Sequence, residues 1–155
     1  MKIILILLVV VSSIFADYSI SYTNLKLGTI EDINTVKENY FKAKVTNPMA
    51  KFLLGKKEFI FFNEKYNEEK ENKKAKYKKD KYFIIDILKK AISNNLKEER
   101  IFVEKDKYID VTKNKDYEFK YISKGKVKSF GKIVVRNFEL ISLVDEKNNI
   151  KILKQ

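Results

Sequence analysis

From residue 101 onward, apolar and polar residues alternate in short runs punctuated by lysine, aspartate, asparagine and glycine. Successive side chains of a strand point to opposite faces, so a period of two marks half-buried β-strands. Segments 101–103, 108–111, 117–121, 132–135, 138–144 and 150–153 read this way, and 145–149 reads as a hairpin loop. Five or six short strands at such spacing predict a small antiparallel barrel or sandwich at this end of the chain.

The N-terminal half carries the same signal less regularly. Tyr18, Ile20 and Tyr22 alternate with serines, Leu25 and Leu27 resume ahead of Gly28, and Phe41, Ala43 and Val45 make a further strand pattern. Between them, Thr29 and Asp32 are placed to cap a short helix bearing Ile30, Ile33 and Val36. Asn47-Pro48 predicts a helix start and Gly55 its end, with Met49, Phe52 and Leu53 on one side. The run 58–62 is apolar on both faces and predicts a buried central strand. One long amphipathic helix is expected over 82–96, where Ile84, Ile85, Leu88, Ala91, Ile92 and Leu96 form a wide apolar stripe. The expected class is α+β, mostly antiparallel, with Phe59, Phe61, Ile85, Leu88, Ile92, Phe102, Val134, Phe138, Leu140 and Leu143 in the core.

Segment 64–81 interrupts this pattern: acidic residues lead, and Lys73, Lys74, Lys76, Lys78, Lys79 and Lys81 follow. It cannot bury enough apolar surface to offset the entropy of ordering. It reads as a solvated loop open to trypsin, or as a polar extension of the next helix supported by pairs such as Glu69 with Lys73. Residues 17–155 otherwise read as a single domain, with a possible subdivision into 17–63 and 82–155.

Residues 1–16 have the form of a secretory signal peptide: Lys2, an unbroken apolar run from Ile3 to Val11, then Ser12, Ser13 and Ala16 before the expected cut. The apolar stretch is shorter than the roughly 20 residues that cross a bilayer as a helix. The expected location is the periplasm, with the cell surface, secretion or an uncleaved N-terminal membrane anchor as alternatives. The chain has no cysteine, so its core and not disulfides must hold it, and no lipid can be attached through a thiol after the apolar run. It has no Asn-x-Ser/Thr sequon either, which fits a bacterial envelope protein.

Lys and Arg total 33 against 21 Asp and Glu, a net charge of +12. Arg100 and Arg136 are the only arginines, whereas a nucleic-acid surface uses several for bidentate phosphate and base contacts. No nucleic-acid partner is expected. The charge implies attraction to anionic envelope polymers or lipid surfaces, and Lys73, Lys74, Lys76, Tyr77, Lys78 and Lys79 are the candidate partner contacts.

Histidine and cysteine are both absent. That removes Ser-His-Asp and Cys-His catalysis, thiolate redox chemistry and His- or Cys-ligated metal sites. Ser123-Lys-Gly-Lys126 and Ser129-Phe-Gly-Lys132 match the Ser-x-x-Lys spacing of penicillin-binding enzymes, but they lie among glycines in a strand-and-turn region, where residues three apart point to opposite faces. Asp106 and Asp110 flank a strand, and Asp86 interrupts the apolar helix; a carboxylate beside an apolar stripe is a candidate for a raised pKa. The simpler expectation for Asp86 is an exposed position near Lys89 and Lys90. Tyr117, Phe119 and Tyr121 share one strand face, and Tyr66, Tyr77 and Tyr82 are interleaved with lysines. Such ladders stack on sugars or bases, or more simply pack across strands. No catalytic residue, cofactor or metal site is expected.

The signal-like residues 1–16, the missing cysteines, and the Lys/Asn/Tyr-rich β segments 57–66 and 115–132 together resemble small periplasmic proteins of AT-rich, epsilonproteobacterial-type Gram-negative bacteria. That resemblance covers the whole chain in composition and transfers no functional residue. It implies an accessory role in an envelope machine such as the periplasmic disks of the flagellar motor. The function expected is that of a non-enzymatic interaction or scaffold protein with protein partners in the envelope. The alternatives are a module for anionic peptidoglycan or lipopolysaccharide, or a carboxylate-dependent hydrolase.

Overall fold

A computed structural model describes residues 18–66 and 82–155. The N-terminal apolar segment and the candidate contacts Lys73, Lys74, Lys76, Tyr77, Lys78 and Lys79 lie outside the described residues. Ten strands form one antiparallel sheet: β1 (Tyr18–Tyr22), β2 (Leu25–Ile30), β3 (Tyr40–Val45), β4 (Glu58–Phe62), β5 (Glu99–Glu104), β6 (Lys107–Lys113), β7 (Tyr117–Ser123), β8 (Lys126–Arg136), β9 (Glu139–Asp145) and β10 (Ile150–Lys154). Their order is β4-β3-β2-β1-β10-β9-β8-β7-β6-β5. Every adjacent pair is consecutive in the chain except β1 with β10, which join in the register Ile20 opposite Ile152. That one pairing merges the strands before and after the charged segment into a continuous sheet.

The arrangement overturns the expected α+β fold with one long helix and a separate C-terminal barrel or sandwich. The C-terminal strands are part of one open sheet, and the helices among the described residues are short: α1 (Pro48–Leu54), α2 (Ile85–Ile92) and a 3-10 turn (Ile33–Glu38). The helix expected over 82–96 shrinks at both ends for backbone reasons. Tyr82 lies ahead of the helix, its amide donating to the Phe62 carbonyl at the end of β4. After Ile92, the amides of Asn94 and Asn95 turn back onto the carbonyls of Ala91 (3.2 Å) and Lys90 (2.8 Å), with Asn94 in the left-handed region at φ 56°. Tyr82 and Leu96 continue the apolar stripe because they pack on the same core from non-helical backbone.

The sheet curls around α2. The Tyr82 ring lies 5.5 Å from Phe61 of β4, while its neighbour Phe83 stacks on Tyr121 of β7 at 3.6 Å. Two consecutive residues thus touch opposite halves of the sheet. Ile84, Ile85, Ile87 and Leu88 are fully enclosed, meeting Phe41, Phe119, Ile109, Ile133, Leu143 and Ile152 from the inner face. Of the expected core, Phe61, Ile85, Leu88, Leu140 and Leu143 are buried, whereas Phe59, Ile92 and Val134 are half-buried.

Phe102 and Phe138 are corrections, at 71% and 78% exposure. On β5 the inward residues are Ile101 and Val103, so the pleat turns Phe102 outward beside Tyr108. Phe138 sits in the β8–β9 turn at φ 65°. A further correction concerns 58–62, which is an edge strand and not a central one. It reads as doubly apolar because Ile60, Phe61 and Phe62 are all covered, Phe62 by the Tyr66 ring at 5.2 Å.

Candidate functional site

α1 is built as its sequence suggests. The Asn47 side chain accepts from the Ala50 amide at 3.0 Å, Pro48 occupies the first turn, and Gly55 closes the helix in the left-handed region at φ 61°. Its orientation is the unexpected part. Among its seven residues only Ala50 is buried; Met49, Phe52, Leu53 and Leu54 are 62%, 87%, 68% and 41% exposed. Residues spaced by three and four share a helix face, so Met49, Phe52 and Leu53 form one apolar ridge projecting from the protein.

At the base of that ridge an apolar cavity of about 290 Å³ opens between α1 and the sheet. Leu54 contributes to its wall with Ile20, Leu27, Phe59, Phe61 and Ile150, and Tyr22, 53% exposed, stands at its rim. The cavity follows from topology: β1 and β10 meet at Tyr22 opposite Ile150, and α1 connects β3 to β4 across from them. Around the ridge every charge from residue 47 to residue 57 is positive: Lys51, Lys56 and Lys57. Lys56 lies over the Phe59 ring at 5.4 Å. Monomeric soluble proteins seldom expose contiguous apolar side chains of this size without a partner for them.

A second cluster surrounds Asp86, which is buried in the first turn of α2 and not exposed on a polar side as expected. One carboxylate oxygen accepts from the buried Asn63 amide at 3.3 Å and lies 3.7 Å from the Lys65 ammonium; the other has no hydrogen-bond partner among the described residues. Burial raises the Asp86 pKa above the usual carboxylate value, and Lys65, Asn63 and Lys89 pull it partly back. The raised value means that the native state holds the proton to higher pH than the unfolded chain does. Stability from the neutral carboxyl is present at low pH and is lost as pH rises through the folded pKa. The advantage of Asp86→Asn over the native chain should therefore grow from about pH 4 to about pH 7. Urea midpoints of both proteins across that range measure it; a difference that stays constant contradicts the burial argument.

The other candidates do not assemble with Asp86. Asp110 lies on the outer face of the sheet, gripped by Arg100 at 2.6 and 3.0 Å, and Asp106 sits in the β5–β6 turn at φ 60°. Among the described residues no group of three or more acidic side chains is placed to hold a metal ion. Ser123 and Lys126 correct the expectation of opposite faces: they are cross-strand partners on either side of the Lys124-Gly125 turn, where both φ angles are positive. Ser129 is fully buried, whereas Lys132 points outward.

The candidate ladder on β7 packs inward. Tyr117 donates to the Leu96 carbonyl at 2.9 Å, Phe119 is 1% exposed, and Tyr121 lies under Phe83. Tyr82 is buried with its hydroxyl unpartnered among the described residues, and burial, then the charge of Asp145, pushes that hydroxyl above the usual range. Asp145 is itself enclosed and accepts from the Asn148 amide at 3.1 Å and the Asn148 side chain at 2.7 Å.

The α1 ridge is the feature that sequence reasoning missed. Met49, Phe52 and Leu53 fall on one side of the helix with no direction assigned to it, yet 48–54 offers no outward-facing polar set apart from Lys51. An apolar heptapeptide bracketed by lysines, with no acid before Glu58, was the available signal. Comparison with protein-family models, with curated proteins and with solved structures finds no match to this chain.

Proposed function

We propose that the protein is a non-enzymatic interaction protein of the cell envelope, an accessory component of an envelope assembly, attached through α1. The observation that carries this reading is the ridge of Met49, Phe52 and Leu53 held out by a capped helix beside an apolar cavity. Covering an exposed Phe, Leu or Met side chain yields about 1.5–3 kcal/mol each. Three of them supply about 4.5–9 kcal/mol, comparable to the roughly 4–15 kcal/mol that association costs, so the ridge anchors the contact and the residues around it must add to it. Asp86, the one buried acid on α2, faces lysines and an amide, with no second carboxylate among its partners in the described residues, which favours binding over hydrolysis. No helix among the described residues is long and apolar enough to cross a membrane.

The test is the double substitution Phe52→Ser, Leu53→Ser. Both side chains are mostly in water already, so unfolding free energy should move by no more than about 0.5 kcal/mol. Attachment to the envelope fraction should fall sharply. Unchanged fractionation of a correctly folded variant would sink the proposal.

A further inference from the structure

We infer that the surface covering α1 is an anionic lipid leaflet, into which Met49, Phe52 and Leu53 insert while Lys51, Lys56 and Lys57 lie against the lipid phosphates. This rests on the reading of α1 as the attachment surface and names its partner. Three observations favour lipid. The ridge is convex: Phe52 is 87% exposed at the tip of a seven-residue helix, and a fluid headgroup layer accepts such a protrusion without a matching pocket. Its flanks carry only positive charge from residue 47 to residue 57, complementary to lipid phosphate. The whole chain bears +12, so long-range attraction acts in the same direction. A second copy of the chain is a poor occupant, because the same lysines would face each other across a symmetric contact.

Insertion and charge make separable contributions. Purified protein is mixed with vesicles of phosphatidylcholine alone and with vesicles containing about one-third phosphatidylglycerol, and partitioning is measured by co-sedimentation. The native chain should prefer the anionic vesicles strongly. Phe52→Ser with Leu53→Ser should weaken that binding about a hundredfold. Lys51→Gln with Lys57→Gln should weaken it about thirtyfold on anionic vesicles and leave phosphatidylcholine binding unchanged. Equal binding to both vesicle types, or no loss with the Phe52 and Leu53 substitutions, overturns the inference.

A photoreactive side chain placed at Phe52 separates this idea from the reading beneath it. Cross-linking to lipid in native envelopes supports the inference. Cross-linking to a protein, with no vesicle binding, overturns the lipid partner and keeps α1 as the attachment surface. Envelope association that is indifferent to Phe52 and Leu53 overturns both.

Discussion

Leu88→Ala is expected to cost about 3–5 kcal/mol and to leave the protein close to unfolding at room temperature. Leu88 is fully buried at the centre of α2, the helix around which the sheet curls. Removing its branched end discards transfer free energy and opens a cavity, and the surrounding strands cannot close over it because each is tied by ladder hydrogen bonds to its neighbours. Ile92→Ala, at a half-buried position one turn on, should cost distinctly less. Chemical denaturation of the two variants checks the ranking. Equal losses would mean that α2 does not sit at the centre of the core.

Gly131→Ala should cost about 3 kcal/mol or more, an unusual penalty for adding a single methyl group. Gly131 pairs with Phe119 of β7 on one side and Asp145 of β9 on the other. A Cβ there would overlap the backbone carbonyl of Val144, which belongs to a strand and cannot swing away as a side chain could. Gly28 meets the Lys44 carbonyl of β3 in the same way, so both halves of the sheet bring strands together over a glycine. Gly125→Ala is the control. Its φ of 72° disfavours a side chain, but the space around it is open, so a cost of about 1–2 kcal/mol is expected. Urea midpoints compare the two, and a Gly131→Ala protein as stable as the native chain would remove the close-approach argument.

Local pattern carried much of the secondary structure and little of the architecture. The cap and stop of α1 were legible because Asn47, Pro48 and Gly55 act on backbone groups within a turn of themselves. The 3-10 turn was legible in part: Asp32 caps it alone, accepting from the Asn34 amide at 2.8 Å, whereas Thr29 and Ile30, expected with it in a helix, are drawn into β2 by pairing with β1 and β3. The alternation from Tyr117 to Tyr121 marked its buried face because a strand's two faces are written in its own residues. Phe102 shows the limit: a large apolar residue within an alternating run was assigned to the core by size, when the parity set by Ile101 and Val103 excluded it.

The site divides along the same line. That 48–54 is helical and apolar was written in those residues, but whether its apolar side faces the core depends on where β3 and β4 leave the connection and whether any strand remains to cover it. Asp86 was visible as an anomaly in an apolar stripe; the groups that partner it, Asn63 and Lys65, lie more than twenty residues away and approach only after β4 joins the sheet. By itself the sequence determined the strands, the caps and the sign of the charge, since these depend on neighbours a few residues apart. Only the tertiary structure decided that β1 pairs with β10, that one curled sheet encloses α2, and that α1 faces outward, because each depends on contacts between segments whose sequences hold no record of one another.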